Sequence, residues 1–186
     1  MALLDELKAR GAYQPGHWEL KSGRHADVFL QATIALQDPA FARRIGRQLA
    51  DKLRVEHDGV DVVAAPGVSS MVLAFVVAEA LAARVVWFEE GQRGHGMRRG
   101  QRVHAGDRVV VVEDVLTTGR TASNSAAFMQ RKEADVIGFA AMMDRSTPEH
   151  PLPWPATSLV QAPLVTYEPD ECPLCADGVP VEDPSR

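Results

Sequence analysis

The 186-residue sequence predicts an α/β chain, a parallel sheet with helices on both faces. Three observations carry that expectation. Short β-branched apolar runs alternate with helical patterns between residues 60 and 142. One run, Arg108–Val112, holds four consecutive valines, as expected of a strand covered on both sides. The segments between runs have the length of helical crossovers, which join parallel strands.

Each element has its own signal. Residues 2–10 repeat apolar positions at helical spacing and stop at Gly11, a natural helix end. Trp18 to Gln31 reads as short strands around the turn Lys21-Ser22-Gly23-Arg24. Residues 39–54 form an amphipathic helix opened by Pro39, whose fixed φ suits a first turn. Val60–Ala65 is a strand ending at Pro66-Gly67. Ser70–Ala82 is a helix apolar nearly all round, hence expected to be buried. Arg84–Phe88 and Arg108–Val112 are strands, Thr121–Lys132 a helix, and Val136–Met142 a strand. Pro148–Pro155 is a loop before a last strand near Ser158–Val165. The expectation is one domain over 1–186, with an N-terminal segment of about 1–35 and a tail at 166–186.

Composition narrows the function. The formal charge of −5 argues against a bulk nucleic-acid binder, which would carry a basic excess. The first ten residues mix charges among their apolar positions, unlike a signal peptide, and no apolar stretch is long enough for a membrane span. A cytoplasmic address is expected. Two cysteines, Cys172 and Cys175, stand as C-x-x-C in a Pro-rich tail. They could be half of a four-thiolate zinc site, a redox pair, or neither. Two reduced thiols with a packing role are the expectation, and a zinc site shared across a dimer is the rival.

The segment richest in chemistry is Val112-Glu113-Asp114-Val115-Leu116-Thr117-Thr118-Gly119-Arg120-Thr121. Gly119 allows a tight turn, the threonines offer hydroxyls, and N–H groups at a helix start cradle a phosphate. Glu113 and Asp114 would repel a bare phosphate, so sugar hydroxyls or a magnesium ion are their natural partners. The loop therefore suits a phosphorylated sugar. No Walker A pattern occurs.

This segment resembles the 5-phosphoribosyl-1-pyrophosphate (PRPP) motif of the type I phosphoribosyltransferases. Leu20-Lys21-Ser22-Gly23-Arg24-His25-Ala26-Asp27-Val28-Phe29-Leu30 and Met143-Asp144-Arg145 resemble segments of the orotate branch of that family, and Glu171–Cys175 is similar to the tails of a short bacterial group. The resemblance implies the type I fold with a small N-terminal hood, a homodimer, and transfer from PRPP to orotate with magnesium carried by PRPP rather than by protein side chains. It implies that Lys21, Val68, Ser69, Ser70, Glu113, Asp114, Thr117, Thr118, Gly119, Arg120 and Thr121 bind PRPP. Phe29, Leu30, Thr117 and Arg145 would hold orotate, an Arg fork being a good partner for its carboxylate. Asp114, Arg93 and His95 would be catalytic.

Gly91 to Gly106 holds five glycines, four arginines, two histidines and no acid. It reads as a flexible lid that closes cations over a polyanion, with Arg98 and Arg99 as lid residues. Here the sequence departs from the family pattern R-K-x-x-K-x-H-G: Glu89 and Glu90 stand where two cations are expected. Ser69 occupies a position that is often lysine, and Arg120 one that is usually small. Arg98, Arg99 and Arg102 are the available compensation. Two rival readings follow: a phosphoribosyltransferase for another base, or a PRPP- or nucleotide-sensing regulator with little catalysis.

Overall fold

The structure, a computed structural model, describes residues 2–20, 22–89, 96–147, 151–163 and 165–184. The chain divides into two compact units, one of residues 1–35 with 163–186 and one of residues 36–162.

The larger unit is built on a six-stranded sheet. Its strands are β3 (Val62–Ala65), β4 (Arg84–Glu89), β5 (Gly96–Met97), β6 (Arg108–Leu116), β7 (Asp135–Asp144) and β8 (Ala156–Gln161), in the order β5-β4-β3-β6-β7-β8. All neighbours pair in parallel except β4 and β5, which are antiparallel. The parallel sheet expected from the valine-rich runs is therefore present, with one short antiparallel edge that the pattern did not announce.

Three long helices cover the sheet: α3 (Pro39–Glu56), α4 (Val68–Leu81) and α5 (Arg120–Gln130). Asp38 caps α3, its carboxylate accepting from the N–H groups of Ala40 and Phe41 at 2.9 and 3.3 Å, and Pro39 fills the first turn. Alternation along β6 splits the valines between two layers. Val109 and Val111 share a core with Ala122, Ala126 and Met129 of α5, so Val110 and Val112, also fully buried, face the opposite layer. There α3 and α4 lie close together. A Cβ on Gly46 would stand 2.9 Å from the Val76 carbonyl carbon, so only glycine permits that approach.

The structure corrects two expectations here. The helix expected to be buried all round buries one face, with Leu73, Ala74 and Val77 inward, while Val68, Val72 and Phe75 are 78%, 46% and 60% exposed. Uniform hydropathy cannot tell a helix wrapped in protein from one with an unpartnered apolar stripe. The loop expected over Glu113–Thr121 starts only at Thr117, because Val115 and Leu116 continue the ladder opposite Met143 and Asp144.

The smaller unit holds α1 (Leu3–Ala9), an antiparallel hairpin of β1 (Tyr13–Glu19) and β2 (His25–Leu30), and two short helices, α2 (Ala32–Leu36, ending at the unit boundary) and α6 (Pro173–Ala176). Gly11, at φ +71°, ends α1 as its position suggests. Residues from the far end of the sequence extend the hairpin. The N–H groups of His25 and Tyr167 each donate to the other's carbonyl at 2.9 Å, and Glu182 donates to the His17 carbonyl at 2.7 Å. Among the described residues no helix is long and apolar enough to cross a membrane.

Candidate phosphate and sugar site at the strand ends

Parallel strands bring their carboxyl ends to one edge of the sheet, where open α/β sheets bind ligands. In the larger unit that edge collects Ser69 after β3, Glu89 at the end of β4, Glu113 to Thr121 at the end of β6, and Arg145 after β7.

The two acids leave β6 on opposite sides, as consecutive strand residues must. Glu113 turns toward α5 and accepts a hydrogen bond from the Ala122 N–H in the helix's first turn. Asp114 turns toward α4; it accepts from the Ser69 hydroxyl and the Val115 N–H. Burial pushes both carboxyls up. For Glu113 burial comes first and the neighbouring Asp114 adds to it, raising its pKa to about 8. Asp114, 9% exposed, is raised by burial against its hydrogen bonds. A buried Asp114 beside a half-buried Glu113, both raised by burial, is short of positive charge.

Downstream, Gly119 makes the turn. Its φ of +64° is left-handed, and a Cβ there would meet Leu152 Cδ2 at 2.4 Å. The turn starts α5 with Arg120 and leaves Thr117, Thr118, Arg120 and Thr121 exposed around the helix N-terminus. One helix-start N–H, that of Ala122, is already taken by Glu113; those of Arg120 and Thr121 lie nearer the turn. Beside this loop, the Arg145 N–H donates to the Leu116 carbonyl at 2.7 Å. Arg145 is only 7% exposed.

The turn after β3 is held by Ser70, whose hydroxyl donates to the Gly67 carbonyl at 3.0 Å and accepts from the Gly67 N–H at 3.3 Å. Ser70 is buried, whereas Val68 and Ser69 are exposed at the start of α4. Of the three residues expected to meet PRPP here, Ser70 therefore offers its backbone and shapes the turn.

Glu89 is held by Arg99, Nε to Oε1 at 2.9 Å and Nη2 to Oε2 at 3.3 Å, and by the Trp87 indole N–H at 3.0 Å. The Arg99 guanidinium, then the indole, hold the Glu89 carboxyl below its ordinary range. The described part of the lid segment is not an open loop. Met97 and Gly96 pair with Phe88 and Glu89, and the Gln101 side chain brackets Trp87, accepting from its N–H at 2.7 Å and donating to its carbonyl at 3.2 Å. Arg98 lies near enough to Glu89 to lower its pKa further, and Arg102 is exposed. Lys21, Glu90, Arg93 and His95 lie outside the described residues.

In the smaller unit, Phe29 packs against Trp18 with ring centroids 5.6 Å apart and lines a cavity of about 500 Å³ with Gln14, Gln31 and Ile34. Leu30 is buried in that unit's core at 8% exposure. A second cluster joins the two cysteines to His17 and His25. The sequence reading passed over both histidines; the available signal was one histidine on each strand of a hairpin, in a chain that also carries C-x-x-C.

A family model described as a phosphoribosyl transferase domain matches residues 32–161. Over 184 residues the chain is 36% identical to an orotate phosphoribosyltransferase of Thermus thermophilus, covering 98% of this chain and 100% of that protein. The crystal structure of orotate phosphoribosyltransferase from Aeropyrum pernix superposes with a TM-score of 0.69 at 23% identity, covering 86% of this chain and 93% of that one. An adenine phosphoribosyltransferase from Thermoanaerobacter pseudethanolicus gives 0.66 at 21% identity, covering 86% and 99%. These two structures show the fold.

Proposed function

The chain belongs to the phosphoribosyltransferase family, and from that premise we propose that it transfers the phosphoribosyl group of PRPP to orotate. The products are orotidine monophosphate and pyrophosphate, a step of pyrimidine synthesis. The C1–O bond to pyrophosphate breaks, a bond from C1 to a ring nitrogen of orotate forms, and that nitrogen's proton passes to the departing pyrophosphate or to solvent.

One observation carries the sugar-phosphate half: the acid pair of half-buried Glu113 and buried Asp114 running directly into the Gly119 turn and the N-terminus of α5. In this reading the 5-phosphate sits on the N–H groups and hydroxyls of Thr117, Thr118, Gly119, Arg120 and Thr121. Asp114, with Glu113, takes the ribose hydroxyls. Val68, Ser69 and the backbone of Ser70 face the pyrophosphate, joined by Lys21 and by Arg93, His95, Arg98 and Arg99 of the lid. The orotate half rests on the relatives named for that activity and on Arg145 beside the Leu116–Thr117 turn.

Magnesium fits this donor set, because buried Asp114 and half-buried Glu113 offer carboxylate oxygens, the donors a hard cation takes. When bound with PRPP, it would neutralise diphosphate charge and ease departure of pyrophosphate. Asp114 and Glu113 would face the magnesium–PRPP complex without being its main ligands.

A homodimer is part of the same proposal, supported by the stripe Val68, Val72 and Phe75 at i, i+4 and i+7 on α4. So is a cytoplasmic reaction, since phosphorylated substrates do not cross membranes unaided. The regulator reading rests on Glu89 and Glu90 in two cations' places, and Arg99, held by Glu89, neutralises one of these acids without restoring a cation.

Ultraviolet absorbance tests the reading, with PRPP and magnesium present and adenine, hypoxanthine and uracil as controls. Orotate alone is expected to be consumed, and Arg145→Ala is expected to raise its KM at least about tenfold. Turnover of another base would move the acceptor assignment; PRPP binding without turnover of any base would favour the regulator.

A further inference from the structure

We propose that His17, His25, Cys172 and Cys175 form a tetrahedral zinc site that clamps the C-terminal segment to the N-terminal hairpin. One ligand atom from each residue lies within 4.8 Å of the others. His17 Nε2 stands 2.8 Å from His25 Nδ1, 3.4 Å from Cys172 Sγ and 3.6 Å from Cys175 Sγ, and His25 Nδ1 stands 3.3 Å from Cys175 Sγ. Zinc with bonds of about 2.0–2.1 Å to nitrogen and about 2.3 Å to sulfur spaces its ligand atoms about 3.3–3.8 Å apart in a tetrahedron. The three nitrogen–sulfur distances match. The nitrogen–nitrogen distance needs to open by about half an ångström.

The surroundings select the lone pair that a metal needs. His17 Nδ1 is 2.7 Å from the Val179 carbonyl and so carries the proton, which leaves Nε2 free to bind. A second hydrogen bond of this kind fixes metal-bound histidines in general. The hairpin supplies the aim. A register shift lies between Pro15 and Trp18, and His17 and His25 come onto one face as diagonal neighbours. Cys172 stands at the N-cap of α6 and Cys175 lies within its first turn, opened by Pro173.

The alternatives explain less. A pair of thiols kept for packing does not require two histidines at bonding distance. A redox pair could work from the exposed Cys175, but it gives no role to two histidines that are 1% and 7% exposed and stand at bonding distance from the sulfurs. Four neutral-to-soft donors converging without a carboxylate suit zinc better than magnesium or calcium. Two thiolates would balance the ion's charge, so burial costs little. Cys175 is exposed and leaves an entry path. Residues 17–25 and 172–175 lie far apart in sequence within one small unit, where a staple contributes most.

The test is on the whole untagged chain. Elemental analysis is expected to find one zinc per chain, and cobalt replacement to give the intense visible bands of a tetrahedral ion with thiolate charge transfer in the ultraviolet. A chelator should lower Tm by several degrees, with recovery on adding zinc and not magnesium. Cys175→Ser, the exposed ligand, should weaken zinc binding at least tenfold; His25→Asn should do so while keeping the thiolate band of bound cobalt. The proposal is overturned by a chain that takes up no zinc with unchanged Tm, by cobalt bound without a thiolate band, or by the two cysteines joined as a disulfide in protein prepared under reducing conditions. None of these readouts depends on turnover.

Discussion

Arg99 grips Glu89 by both carboxylate oxygens, at 2.9 and 3.3 Å, across the antiparallel edge of the sheet. The acid that stands where the family pattern has a cation is thereby paired by a lid arginine. The pairing also occupies a charge that the lid would otherwise turn toward PRPP. Substitutions at the two ends should therefore act in opposite directions. Arg99→Ala is expected to raise the KM for PRPP about two- to fivefold and Glu89→Gln to lower it by a similar factor, both effects shrinking with added salt. Steady-state kinetics at two ionic strengths decides this. A KM that rises in both variants would mean Glu89 itself serves the substrate.

The Ser69–Asp114 hydrogen bond bears on a different quantity. Asp114 is buried and its carboxyl is raised by that burial, so its charge is held for a ligand at some cost to the fold. Asp114→Asn is expected to weaken PRPP binding at least about tenfold with Tm unchanged or slightly higher. Calorimetric titration and thermal melting separate the two effects. A large loss of Tm in the absence of ligand would make Asp114 a structural residue.

Glu113 gives a pH signature. Its pKa rises from the ordinary 4.5 to about 8 in the fold, so the folded state binds the extra proton between those values. Stability from this group is present at low pH and falls as pH rises from about 4.5 to about 8. Glu113→Gln, which keeps the shape and removes the ionisation, should flatten that part of the Tm-versus-pH curve of ligand-free protein. Near the upper limit the variant should melt higher than the parent, and well below the lower limit the two should converge. Parallel curves would show that Glu113 ionises normally.

Gly46 tests the packing behind the site. A Cβ there would meet Val76 at 2.6 to 2.9 Å, including a backbone atom that cannot rotate away. Gly46→Ala is expected to cost about 1–3 kcal/mol by forcing α3 and α4 apart, despite alanine's better helix propensity. Urea denaturation measures it. A more stable variant would show that the helices can separate freely.

Much of this was legible residue by residue. Pro39 announces a helix start because its signal is local, and the valines of β6 announce a doubly covered strand because burial on both faces leaves no polar alternation. The acid pair and Gly119 were legible for the same reason: each feature lies within ten residues of sequence. What escaped depends on distant partners. The Gly96–Met97 strand exists only because β4 offers it an edge. The outward face of α4 differs from the inward one in its neighbours rather than in its composition. The two histidines gain their meaning from cysteines about 150 positions away, a distance over which spacing carries no information.

The smaller unit draws its strands from residues 1–35 and its fastening from residues 163–186. During synthesis the β1–β2 hairpin therefore emerges on the order of ten seconds before Tyr167 and Glu182, at ordinary ribosomal rates. For that interval its edge and its two inward histidines wait without the backbone that pairs with them. The sheet of residues 36–162, made in between, can fold on contacts already synthesised. Ribosome-bound chains halted before residue 163 should thus carry a formed sheet and a protease-sensitive front end.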